Sequence, residues 1–177
     1  MKEQLDSLIV IIRKFQALTA EKKDLDAREK LAREDLTAAA SAGPLSDPKT
    51  ARQISAGNAT IDAVNARRDY VEQSLRPLLD EMRDALRAAD SQWTRIIRAE
   101  GDRIAEKFYS LNAQFYEGNL REAKRHLNHE LLPAWNLTNR SLWHGRAGDL
   151  TEENALATVN QFVNLIGANA ARFNLSI

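Results

Sequence analysis

The chain is 177 residues long, carries 25 Lys plus Arg against 25 Asp plus Glu, and contains no cysteine. Zero formal net charge argues against a general electrostatic attraction to nucleic acid or anionic membrane. The missing cysteines remove disulfides, thiolate metal sites and Cys nucleophiles together, while the length suits one domain, with or without an extension, whose core needs no such staple.

The apolar run Leu8 to Ile12, stopped by Arg13 and Lys14, is too short for a signal-peptide core or a membrane span. The stretch Asn154 to Ile177 carries only Arg172 as a charge but is dotted with asparagines, which suits a buried helix better than a bilayer segment. The expectation is a soluble, cytoplasmic protein.

A first helix is expected from about Lys2 to Ala42. Its apolar positions step by three and four through Leu8, Ile11, Phe15, Leu18, Leu25, Ala32, Leu36 and Ala39, a heptad seam that wants a partner helix. Gly43-Pro44-Leu45-Ser46-Asp47-Pro48 ends it, with Gly43 suited to a left-handed cap, Asp47 to the next N-cap and Pro48 to the first turn. So short a loop makes the two helices antiparallel neighbours.

The second helix continues the heptad through Ile54, Ile61, Val64, Val71, Leu75, Leu78, Met82 and Ala85, with Gly57 and Arg68 on the seam. Pro77 removes a backbone hydrogen bond and predicts a kink. Periodicity resumes at Trp93 and runs through Ile97, Ile104, Phe108, Leu111 and Phe115 to a stop at Gly118-Asn119. A helix from Pro48 to Glu117 spans roughly 100 Å at about 1.5 Å per residue. A third helix, capped by Asn119, is expected to run to about Leu132, where Pro133 either kinks it or begins a new turn, and to continue through Trp135 and Leu142 to His144. Gly145 to Gly148 is a loop, and Thr151 caps the last helix with an incomplete capping box, because Asn154 stands where Glu or Gln belongs.

Aromatic residues are concentrated beyond Ala89 and dominate core burial in general. The expected organisation is therefore one all-α domain: a long antiparallel coiled-coil hairpin stalk over residues 16–76, merging into a bundle of about four helices formed by residues 78–177 with 1–15.

Lys22, Glu29 and Arg68 occupy seam positions that usually hold apolar residues. They read either as snorkelling stems or as register-setting residues. Folding about residue 45 brings Lys22 near Arg68 and Asp69. With Leu25, Ile61, Phe173 and Ile177 they make up the expected interface residues. Trp93, Trp135 and Trp143 are the candidates for a ligand pocket in the head, against the plainer reading as core. Glu122, His126, His129 and Glu130 share a helix face, but His144 is the sole other His, and a metal site needs ligands from facing helices. A solvated face is favoured, with Glu122 paired to Arg125 or His126. No nucleophile elbow, phosphate-cradling loop or nucleic-acid motif is present. Hence no cofactor, metal site or catalytic residue is expected.

The run Gly118-Asn119-Leu120-Arg121-Glu122-Ala123, followed by Leu127, Glu130 and Pro133-Ala134, resembles the third helix of the four-helix-bundle sensory domains of bacterial chemoreceptors. The resemblance implies a helical bundle and carries over no ligand-binding residue. Those receptors set the bundle between two membrane spans, which are missing here.

The leading functional expectation is a non-enzymatic structural or adaptor protein acting through helix–helix contacts, by self-association or with another protein. A phage or other large assembly is one setting. A sensory or ligand-binding bundle with a Trp-lined pocket is the alternative, and a metal-dependent enzyme using His126 and Glu130 ranks third.

Overall fold

The computed structural model describes residues 1–44, 46–116 and 120–175, without the side chains of 114–116 and 120. Leu45, the stop at Gly118-Asn119 with its cap, and the interface candidate Ile177 lie outside the described residues, as does the side chain of Phe115. The architecture is all-α: α1 (Lys2–Ala42), α2 (Pro48–Tyr116), α3 (Leu120–His126), a π-helical turn (Leu127–Leu131), α4 (Leu132–Arg140), a 3-10 turn (Ala147–Asp149) and α5 (Ala155–Asn169). The long hairpin of α1 and α2 continues into a helical bundle, and the chain divides into one compact unit of residues 10–82 and another of 1–9 with 83–177.

In the first unit, the heptad positions become the seam. Phe15, Leu25 and Ala32 of α1 and Ile61, Val64, Val71 and Leu75 of α2 are buried. Asp47 caps α2 as its position demands, accepting bonds from the Thr50 N–H at 3.1 Å and the Thr50 hydroxyl at 2.8 Å, with Pro48 in the first turn. Gly43 departs from expectation. Its backbone is not left-handed, and the missing Cβ instead leaves room for the Thr50 hydroxyl, which would lie 3.1 Å away. Gly57 does the same for Leu36, whose Cδ1 would lie 2.9 Å from a Cβ there. Small residues near the tip thus admit close helix approach. The helix passes through Pro77 without a break.

In the second unit, α2 buries Leu86, Ala89, Trp93, Ile97, Ile104 and Leu111. Pro133 interrupts the α-helical ladder, and the chain answers with a π turn in which the Leu132 N–H reaches back to the Leu127 carbonyl. Widening the turn before a proline relieves the clash between its ring and the carbonyl four residues back. The helix then ends at Arg140, short of the expected His144: the Ser141 N–H is shared between the Leu137 and Thr138 carbonyls and the Leu142 N–H turns to the Asn139 carbonyl, a 3-10-type tightening of the last turn. The α5 start corrects another expectation. Asn154 substitutes for Glu in the capping box: its Oδ1 accepts from the Thr151 N–H at 2.8 Å while its own N–H donates to the Thr151 hydroxyl at 3.3 Å. The C-terminal end closes with Asn174 at φ 52°, the Leu175 N–H on the Ala170 carbonyl and the Asn174 N–H on the Ala171 carbonyl, a Schellman arrangement with Asn in place of Gly.

Candidate functional site

Two features stand out, one in each unit. In the hairpin, the polar seam residues are held by cross-helix pairs. Lys22 lies 3.1 Å from Glu72, one turn beyond the expected Asp69. Arg68 bridges Asp26, at 2.9 Å, and Glu29, and Glu29 also accepts from Arg33 at 2.6 Å. Arg67 reaches Glu21 at 2.6 Å and lies 4.7 Å over the Tyr70 ring. The Arg68 guanidinium first, then Arg33, hold the Glu29 carboxyl below the usual carboxylate range, as Arg67 does for Glu21. Leu25 and Ile61 are buried in the seam between the two helices. The ladder is exposed enough that each pair is weak alone, but together the pairs discriminate one register from its neighbours.

The second feature is an apolar hollow of about 250 Å³ between α2 and the α3–α4 segment, lined by Ile104, Phe108, Tyr109, Leu131, Leu132 and Trp135, among others. Its floor is buried: Ile104 and Leu131 belong to one cluster with Leu111 and Ala123, against which Leu127 and Ala134 pack. Its rim is open. Phe108 is 44%, Tyr109 72%, Leu132 45% and Trp135 43% exposed. The aromatic residues beyond Ala89 are therefore not all core, as the sequence reading assumed.

The three pocket tryptophans do not meet in one cavity. Trp93 is fully buried, donates its indole N–H to the Ser141 carbonyl at 2.8 Å and stands edge-on to Phe173 at 5.2 Å. That contact also leaves Phe173, an expected interface residue, only partly exposed. Trp143 packs edge-on against Phe162 at 5.0 Å. Trp135 alone of the three lines the hollow. Phe108, Tyr109 and Leu132 were missed as rim residues. The available signal was the density of apolar residues at 131, 132, 134, 135 and 137, more than a single buried stripe can absorb.

On the proposed metal face, His126 Nδ1 pairs with Glu130 at 2.9 Å and Glu122 lies 3.7 Å from Arg125. Among the described residues no three His, Asp or Glu side chains gather to hold a metal ion, and no helix is long and apolar enough to cross a membrane. Burial alone raises the Asp90 carboxyl, and one perturbed carboxyl without a coupled group is not a catalytic constellation.

No family model, no curated protein and no solved structure matches this chain. The likeness of residues 118–134 to chemoreceptor sensory domains therefore rests on those residues alone.

Proposed function

We propose that this chain is a non-enzymatic structural or adaptor protein that works by helix–helix contact, with the Trp135 hollow as the seat for an apolar helix face of another protein. The observation that carries the reading is the rim itself: four large apolar side chains stay open to solvent around a packed floor. An exposed apolar patch of this kind is informative where scattered exposed apolar residues are not. A groove between two helical segments matches the helix-in-groove mode, in which side chains at i, i+3 and i+4 of the incoming helix anchor in the hollow, and aromatic residues are the commonest anchors of such contacts.

A second reading, a small-ligand site, draws on Trp135. The hollow, at about 250 Å³, falls below the roughly 300–1,000 Å³ of ordinary ligand pockets, so the ligand would have to be small and apolar.

The test is site-specific photocrosslinking from position 109 in the native host. The helix that crosslinks is then made as a synthetic peptide and titrated against the full chain. Saturable binding that weakens about tenfold or more in Phe108→Asp, with helicity unchanged, supports docking. Absence of any protein crosslink, together with quenching of Trp135 fluorescence by a small molecule, transfers the site to the ligand reading.

A further inference from the structure

The hairpin has two unlike broad faces. On one, Lys23, Lys30, Arg33, Asn58, Asp62 and Asn65 make a polar surface. On the other, Leu31 is 59% exposed beside two hollows of about 660 and 590 Å³. The hollows share Ala32, Asp35 and Thr60 and so form one groove; the first adds Ala59 and Ala63, the second Ala56 and Gly57. A large apolar knob thus stands next to a trough floored by small residues.

We propose that this face binds a second copy of itself in antiparallel fashion, the two hairpin tips pointing in opposite directions about a two-fold axis between Leu31 and Ala32. Three observations select a second copy over an unrelated partner. Knob and trough lie on the same face, so a two-fold operation seats each Leu31 in the trough of the other copy, as an isologous contact requires. Arg28 and Asp35 stand at equal distances on either side of the axis with opposite charge, so Arg28 of each copy meets Asp35 of the other, two pairs in all. Arg28 is already oriented by Asp24 at 2.8 Å, while Asp35 has no ion-pair partner among the described residues. Finally, the face from Asp24 to Ala42 extends roughly 28 Å and is about 20 Å wide across two helices. That gives about 1,100 Å² over both copies, just above the roughly 1,000 Å² a specific interface needs. An area at this lower limit is that of a transient contact rather than a permanent one. Two paired hairpins complete the four-helix arrangement that a lone hairpin lacks.

Sedimentation velocity of the full chain across a series from micromolar to submillimolar concentration tests this. The wild type is expected to form a dimer. R28D alone and D35R alone place like charges across the axis and should each weaken it about tenfold or more. The combined R28D/D35R chain should regain it, because the exchanged charges face each other again. Leu31→Glu should abolish the dimer, and circular dichroism should show equal helicity throughout. A wild type that stays monomeric, a dimer indifferent to all four changes, or single variants not rescued by the exchange would each overturn the proposal. None of these outcomes touches the Trp135 hollow, which lies in the other unit and has its own test.

Discussion

At the residue scale, small geometric facts decide which substitutions matter. A Cβ at Gly145 would lie 2.3 Å from Cζ2 of Trp143, and that ring packs edge-on against Phe162, so making room for it disturbs this contact. Gly145→Ala should therefore destabilise the chain by about 1–3 kcal/mol, the usual range for overpacking. Gly148→Ala, three residues on with nothing within 4 Å of its Cβ, should leave stability unchanged. Urea unfolding of the two variants side by side checks the contrast. The Trp93 indole bond to Ser141 is of the same kind: Trp93→Phe strands a buried carbonyl and should cost about 1–3 kcal/mol. Asp47 gives a pH effect with a fixed sign. The Thr50 hydroxyl, then its N–H, hold the Asp47 carboxyl below its ordinary value. A depressed carboxyl contributes stability above its unfolded pKa and loses it as pH falls through the lower folded value. Asp47→Ala should lower Tm by a few degrees at neutral pH and make no difference in strong acid.

At the scale of elements, the hairpin carries its specificity in a charged ladder rather than in bulk. Glu21 and Glu29 are depressed by Arg67 and Arg68, so both carboxylates favour the folded hairpin above the ordinary carboxylate range, and that contribution fades in acid with the same sign as for Asp47. Replacing Glu29 and Arg68 together with leucine should raise the thermal midpoint, because side chains only 15% and 22% exposed then bury apolar surface in place of a pair worth little alone. The same double variant should relax register, read as disulfide formation by a 22/69 cysteine pair as well as by the native 22/72 pair. An unchanged crosslink pattern would mean that Gly57, Leu36 and the tip residues set the register alone. The π turn before Pro133 shows the same logic on a smaller scale: one residue without an N–H dictates the local helix type, and the chain widens rather than breaks.

At the scale of the whole molecule, burial is unevenly distributed. Fully buried Trp93, Phe162, Leu86, Val159 and Ile166 belong to the unit of residues 1–9 and 83–177. Towards the hairpin tip, Leu36, Ala39, Ile54 and Gly57 are only partly buried. Local opening follows buried apolar contact, so amide exchange should be slowest in residues 86–97 and 159–166 and fastest in residues 36–57. Uniform protection across the hairpin in dilute solution would contradict this. Protection of the tip that appears only at high concentration is what a second copy seated on the Leu31 face would produce.

What the sequence determined by itself was periodic. The heptads put Leu25, Ala32, Ile61, Val64 and Val71 on a seam, the Gly-Pro and Asp-Pro signals bounded both long helices, and Asp47 announced its own cap. These follow from local backbone chemistry and a repeat of fixed length, which act within a few residues. The tertiary structure decided everything that depends on which surplus apolar residues stay outside. Phe108 obeys the same period as Ile104 and Leu111, yet it stays 44% exposed on the rim of the hollow. Leu31 lies off the seam, and although both helices are visibly Ala-rich beside the turn, the groove those alanines form joins residues some thirty positions apart, which the pattern of neither helix shows by itself. Likewise Lys22 reaches Glu72, one turn from the Asp69 to which folding about residue 45 pointed, an axial offset that sequence spacing alone does not fix.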